Sequence, residues 1–253
     1  METVRREGNT FFQDLTVPCY EVDSSLCLKP ASFMDMAQEI AYWAAQGLGF
    51  GYDDLQTHHT AWVLSRMHFH IDKAPQWRDR VHLETWHKGA DGLFYLRDFR
   101  LRSESGEEVI RCTSSWLIIN TETRHIVRPE ALQEALRIEG AVAESAIETP
   151  AAKILPTKEM QLEAVAQRTV SYSDVDVLSH TNNARYMLWA MDVLDFGLVS
   201  TKRVSDVEIN FNKETRPGDV VEMFRCRYPG EPESWYVEGR VGGKPAFCAK
   251  ITF

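Results

Sequence analysis

Apolar side chains recur at three- and four-residue steps between positions 30 and 48, at Phe33, Met34, Ala37, Ile40, Ala41, Ala44 and Leu48. That period puts them on one face and predicts a helix over 30–48. Pro30 suits the first turn, where a missing N–H costs nothing, and Gly47, Gly49 and Gly51 mark the end. Strand-like runs follow at 61–71, 81–87, 93–101 and 109–119. The last two flank Ser103-Glu104-Ser105-Gly106-Glu107, a hairpin turn by composition.

The same order returns later. A helix is predicted over 183–196, stopped by Gly197, with strands at 205–212, 220–227, 234–241 and 246–253. Gly242-Gly243 makes the last hairpin. A further strand is expected just before each helix. Each half is then a long helix followed by about four antiparallel strands, an α+β arrangement of sheet around helix. One continuous sheet across both halves is compatible with this order. Between them, residues 129–163 are acidic and Ala/Glu-rich, with Pro150 and Pro156. This stretch reads as a connector holding a short helix and an extended piece. The expected division is 1–130, a connector over 131–164, and 165–253.

Aligning the chain with itself supports duplication. A shift of 153 residues carries Thr16 and Val17 onto Thr169 and Val170, and Glu21-Val22-Asp23 onto Asp174-Val175-Asp176. It also carries Ala31, Met34 and Ala37, one helix face, onto Ala184, Met187 and Ala190. A shift of 140 carries residues 69–73 onto 209–213, and Asp79 and Val81 onto Asp219 and Val221. Two copies are too few for a solenoid, so tandem domains are expected.

Composition narrows the function classes. The chain has 253 residues, is 44% apolar and carries a net charge of −9. That charge argues against a general nucleic-acid binder, which needs a basic surface for phosphates. No run of 18 apolar residues is present, so no transmembrane helix is expected. The opening METVRREGNTFFQDL lacks an apolar core of signal-peptide length. Cys19, Cys27, Cys112, Cys226 and Cys248 are scattered without CxxC spacing. They fit reduced thiols in a cytoplasm, and neither a disulfide framework nor a zinc site.

The densest chemistry lies at 171–197, where Asp174, Asp176, His180, Asn182 and Asn183 precede the second helix. Asp174 and Asp176 share one face if extended, although a turn acid is an equal reading for Asp174. His180 between carboxylates and a helix start is a candidate general base. Asn182 and Asn183 are candidate N-caps, and the same helix start offers N–H groups to an oxyanion. In the first copy, Cys27 replaces His180 and Ala74 replaces Glu214, so the ionisable set survives only in the second. Glu214, next to the turn Thr215-Arg216-Pro217-Gly218, is by spacing alone more simply an exposed turn residue. The motifs GxSxG, GxxxxGK[ST] and GxGxxG are absent.

The run DVDVLSHTNNARYMLW resembles the D-x-D-x-x-x-H-x-N-N-x-x-Y segment of hot-dog-fold thioesterases. The doubled layout and Asn210-Phe211-Asn212-Lys213-Glu214 resemble the acyl-acyl-carrier-protein thioesterases, as does TAWVLSRMHFHIDKAPQWRDRVHLETW in the first copy. The resemblance implies two tandem hot-dog domains, with the acyl-chain pocket shaped by the first and catalysis in the second. It implies that Asp176, His180 and Glu214 are catalytic; the helix start at Asn182 and Asn183 stays the candidate oxyanion site, and no cofactor or metal is expected. Phe33, Met34, Trp43 and Trp62 are the candidate pocket residues, each also readable as plain core. The implied partner is acyl carrier protein bearing a fatty acyl thioester. Arg78, Arg80, Lys88 and Lys213 are candidates for its docking surface, and a homodimer is compatible. Two departures stand out. Leu178 replaces an asparagine usual in the family, a role open to Asn182 or a backbone N–H. Thr215 replaces a cysteine frequent in plant members. The rival readings are an acyl-coenzyme A thioesterase, a non-catalytic acyl-carrier binder and a hot-dog dehydratase.

Overall fold

The computed structural model describes residues 4–132, 136 and 138–253. The first half runs β1 (Arg5–Glu7), β2 (Thr10–Thr16), α1 (Pro30–Gly47), α2 (Tyr52–Gln56), β3 (Thr60–Ile71), β4 (Arg80–Asp91), β5 (Phe94–Ser103) and β6 (Glu108–Asn120). Two short elements follow, β7 (Ile126–Val127) and α3 (Pro129–Leu132). The second half runs β8 (Glu163–Thr169), α4 (Asn183–Asp192), α5 (Phe196–Thr201), β9 (Asp206–Phe211), β10 (Val220–Tyr228), β11 (Glu231–Val241) and β12 (Lys244–Thr252).

All these strands join one antiparallel sheet in the order β1-β2-β4-β5-β6-β3-β9-β12-β11-β10-β8, with β7 on β6. Outward from the β3–β9 pair the two halves match: β3-β6-β5-β4-β2 on one side, β9-β12-β11-β10-β8 on the other. The duplication read from the sequence is thus a two-fold relation in strand order. At the seam, Arg66 pairs with Asn210 and His70 with Asp206.

The helices pack on each other and on one face of the sheet. Phe33, Met34, Ala37 and Ile40 of α1 share a core with Met187 and Ala190 of α4 and with Phe69 and Ile209 of the strands. Phe33 lies 5.2 Å from Phe69, ring to ring. Burial of this stripe holds α1 in place, since helices in water draw most of their stability from such a face.

The helix predicted over 183–196 is two helices. α4 stops at Asp192, and the Asp195 carboxylate caps α5 by accepting from the Leu198 N–H at 3.1 Å. An N-cap residue has extended backbone angles, so it ends one helix as it starts the next. Gly197 therefore lies inside α5 instead of stopping a helix.

The connector is anchored by buried polar groups on the sheet face away from α1 and α4. Trp86 Nε1–H donates to the Glu144 carbonyl at 2.8 Å, and the Ala146 N–H donates to Asp98 Oδ2 at 2.7 Å. Asn210 accepts from the Ile154 N–H at 2.7 Å and donates to the Ala152 carbonyl at 2.9 Å. The connector positions 133–135 and 137 lie outside the described residues. Asn210→Ala should leave both connector groups unpaired, each costing about 1–3 kcal/mol. Urea unfolding should show the loss, and limited proteolysis should cut faster between 141 and 156. Unchanged stability and cleavage would mean the connector is held by something else.

Candidate active site

A short turn before α4 brings the site residues together. Ser171 opens it, donating through N–H and Oγ to the Asp174 carboxylate at 2.8 and 2.9 Å. Asp174 is therefore buried in a local cap, and it does not share an extended face with Asp176. The shared-face reading fails because the 3-10 turn at Tyr172–Asp174 breaks the two-residue alternation.

Beyond it, the Asp176 N–H donates to the His180 carbonyl at 3.0 Å, and the Leu178 N–H donates to Asp176 Oδ1 at 2.9 Å. Ser179 takes a positive φ of 60° to close the loop. The Thr181 N–H then donates to the Thr215 carbonyl at 2.9 Å. Thr215 is pinned further, its hydroxyl 2.6 Å from Thr181 Oγ1 and 2.9 Å from the Tyr186 hydroxyl. These bonds fix residue 214 beside residue 180, and His180 Nε2 lies 3.4 Å from Glu214 Oε2.

The first half repeats this scaffold. The Asp23 N–H donates to the Cys27 carbonyl at 2.8 Å, the Ser25 N–H to Asp23 Oδ1 at 2.8 Å, and the Leu28 N–H to the Pro75 carbonyl at 2.7 Å. Leu26 has the positive φ, 64°. Cys27 and Ala74 stand where His180 and Glu214 stand, so the backbone device is kept and the proton chemistry is not.

Glu214 accepts from Arg216 at 2.9 Å and also from Arg124. Burial alone would raise its pKa. The hydrogen bonds from Arg216 and Arg124, with the His180 charge, outweigh burial and hold the carboxyl below its ordinary range. Asn182 caps α4, its Oδ1 accepting from the Ala184 N–H at 2.9 Å and from Gln38 Nε2 at 3.3 Å. Around this helix start, the N–H groups of Asn182, Ala184 and Arg185 are all used. The Asn183 N–H has no partner among the described residues, as expected for the first helical position.

These groups face a cavity of about 1050 Å³. Asp176, His180, Asn182, Asn183 and Glu214 line it, together with Leu178 and Lys213. Of the four candidate pocket residues, Trp62 lines it, 5.2 Å from the Tyr95 ring. Phe33 and Met34 do not, because they belong to the stripe that faces the core. Trp43 does not either; it is 41% exposed, with its ring N–H on Glu39 at 2.8 Å. The cavity uses the neighbouring stripe of α1, at Gln38, Ala41, Tyr42 and Ala45. Lys88 is withdrawn from any docking surface by its pair with Asp98 at 3.3 Å, and Arg80 pairs with Glu104 at 3.5 Å.

Sequence reasoning missed Gln38, Arg124 and Arg216. Arg216 lies two residues from Glu214 and was findable as a charge complement in the same turn. Gln38 and Arg124 come from the first half and carry no local signal.

Sequence models of the Acyl-ACP thioesterase N-terminal domain and C-terminal domain match residues 8–135 and 157–237. The chain belongs to the acyl-ACP thioesterase family. It is 28% identical over 238 residues to "Oleoyl-acyl carrier protein thioesterase 1, chloroplastic" of Arabidopsis thaliana, an alignment covering 88% of this chain and 65% of that protein. The chain thus spans just under two thirds of the length of the curated relatives it matches. Its fold matches an acyl-ACP thioesterase from Bacteroides thetaiotaomicron, with TM-score 0.84, 24% identity, and coverage of 97% of this chain and 98% of the other. It also matches the 12:0-ACP thioesterase of Umbellularia californica, with TM-score 0.85, 23% identity and 98% of each chain covered. The two halves are the tandem hot-dog units of that fold, and among the described residues no helix is long and apolar enough to cross a membrane.

Because Glu214 is held ionised, its pairing adds stability above the ordinary carboxylate pKa and loses it as pH falls through the depressed value. Arg216→Ala should move the Glu214 titration upward, read by NMR of its carboxyl carbon. A titration that stays in place would remove Arg216 as a cause.

Proposed function

We propose that this chain hydrolyses the thioester of a fatty acyl group carried on acyl carrier protein. The observation that carries the reading is the His180–Glu214 contact at 3.4 Å beside the open Asn183 N–H, all three lining one large cavity. Similarity to oleoyl- and palmitoyl-acyl carrier protein thioesterases and to a dodecanoyl-[acyl-carrier-protein] hydrolase supports the substrate class. The first half houses the acyl chain in the space bounded by Trp62, Tyr95 and Phe50.

In the proposed reaction a water attacks the thioester carbonyl carbon while His180 accepts its proton. Glu214, kept anionic by Arg216 and Arg124, stabilises the imidazolium that forms; a carboxylate of lowered pKa suits that role better than taking the proton itself. Asp176 holds the turn that presents His180, through the bonds at 3.0 and 2.9 Å. The oxyanion accepts from the Asn183 N–H at the positive end of α4. Collapse breaks the C–S bond, and the imidazolium proton goes to the leaving thiolate. Thr215 cannot serve as a spare nucleophile, since its hydroxyl is buried and engaged by Thr181 and Tyr186. The side-chain carbonyl of Asn182 is taken by Ala184 and Gln38, so only its amide N–H groups are open to the role left by Leu178. All five cysteines are free thiols and four are buried, which fits the cytoplasmic reading.

His180→Ala and Glu214→Gln should each lower kcat by about 10²–10⁴-fold while the far-UV spectrum stays unchanged. Full turnover in both would remove these residues from catalysis. A panel of acyl chains on carrier protein and on coenzyme A, with released acid measured by mass spectrometry, tests the substrate. Faster release from carrier protein supports the proposal. Release from coenzyme A alone would replace it with an acyl-coenzyme A thioesterase, and binding without release would make the chain a carrier-binding protein.

A further inference from the structure

The face of the β3–β9 pair turned away from α1 and α4 carries chemistry that the cavity does not use. Met67, Phe69 and Ile71 of β3 lie in the core, so His68 and His70, which alternate with them, stand on the opposite face. Across the seam His68 pairs with Glu208 and His70 with Asp206. Asp206 Oδ2 lies 3.0 Å from His68 Nε2 and 2.5 Å from His70 Nδ1. One ligand atom from each of the three residues falls within 4.8 Å of the other two. None of the three lines the cavity.

The relation between the halves shows how the two ends of this seam differ. The shift of 140 residues carries Arg66 onto Asp206 and His70 onto Asn210. Arg66 and Asn210 therefore hold, at one end of the seam, the places that Asp206 and His70 hold at the other. The first pair is spent on the connector: Asn210 bonds to Ile154 and Ala152, and Arg66 donates to the Ala151 carbonyl at 3.4 Å. At the other end the same backbone positions present a carboxylate and an imidazole, with the second imidazole two residues along β3.

The surrounding charge suits a cation. Arg111, cross-strand from His70, is matched by Asp72 at 3.2 Å and Glu108 at 3.4 Å. Lys250, cross-strand from Glu208, is matched by Glu231 at 2.8 Å. Glu208 adds a further negative charge beside His68. Two imidazoles and a carboxylate are a ligand set for zinc and its neighbours in the transition series, whereas magnesium and calcium prefer oxygen alone. Tetrahedral zinc, with bonds of about 2.1 Å, holds its ligand atoms about 3.4 Å apart. The Asp206 oxygen already stands within about 1 Å of that spacing from both rings. The His70 side chain is 40% exposed and has room to turn.

We propose that this seam carries a site for a divalent transition ion of the zinc type, ligated by His68, His70 and Asp206, with water completing the shell. The ion takes the place of the ring hydrogens that now face Asp206, and each neutral ring keeps its one hydrogen on the opposite nitrogen. It clasps the two halves at the end of the seam opposite the connector's bonds to Arg66 and Asn210. Its ligands are brought together only by folding, so binding adds to folding stability. His68 and Asp206 lie 138 residues apart in the chain, which is why no ligand spacing in the sequence reveals the site.

The test uses the full chain stripped with EDTA and zinc ion alone as the probe, read by competition with a chromophoric chelator. A single equivalent should bind with micromolar or tighter affinity. On the unaltered protein, zinc should shift the imidazole NMR signals of His68 and His70 and leave those of His180 in place. It should also raise the urea midpoint, and further as zinc increases. Asp206→Asn and His70→Ala should each weaken binding by more than about tenfold, since even an outer-shell partner is worth that much. His180→Ala should bind zinc as the unaltered protein does. Absence of binding at micromolar zinc would overturn the proposal, as would shifts confined to other histidines, or uptake of several ions with no change in the urea midpoint. Stoichiometry, shifts and midpoint are all read on the unaltered protein, so they decide the matter even if a variant fails to fold.

Discussion

The pairing of β3 with β9 is the constraint on which the rest of the molecule depends. It turns two five-strand arrays into one sheet and so fixes how the halves face each other. That registry lets α1 lie against α4, where Arg185 meets Asp35 at 3.0 Å and Gln38 meets Asn182 at 3.3 Å. It also brings Arg124, from the loop after β6, onto Glu214 of the other half. His180 and Glu214 both belong to the second half, but the charge around Glu214 is set across the seam.

The duplicated turn separates what a scaffold needs from what a reaction needs. Both copies keep an aspartate accepting from its own loop, a positive φ three residues later, and an N–H donated to a carbonyl in the lead-in to β4 or β10. These features serve helix entry and survive wherever a helix must start against a sheet. The histidine and glutamate occur once, and their contacts to each other, Arg124 and Arg216 have no counterpart in the first half's turn. Asp23 remains in the first copy because its carboxylate closes the turn, and it pairs there with Arg203 at 3.5 Å.

Elements whose signals are local were legible in the sequence. α1 and the strands of both halves lie within a few residues of the predicted bounds, because apolar period and turn composition are read over a few residues at a time. The break after Asp192 was not, since nothing in the apolar period reveals that Asp195 will cap a new helix. The pair His180 and Glu214 was visible through family resemblance and the missing groups of the first copy, and only weakly through spacing. Phe33, Met34 and Trp43 went astray for a plain reason: core, cavity wall and exposed ring are all apolar, and period alone does not say which surface each meets. Arg124 reaches Glu214 across 90 residues of chain, a distance that no local pattern spans.

α1 presents one stripe to the core and the next to the cavity. A change at Phe33 or Ala37 is felt by the whole fold, whereas a change at Tyr42 or Ala45, up to half a turn around the cylinder, is felt mainly by whatever fills the space. The turn that carries Asp176 and His180 leads into a different helix, α4. Selection can therefore act on ligand shape through a handful of positions on α1, β4 and β5 without crossing intermediates that are unfolded or chemically dead. A lineage built on this plan has a short mutational path between substrates, and its members should diverge fastest along that second stripe.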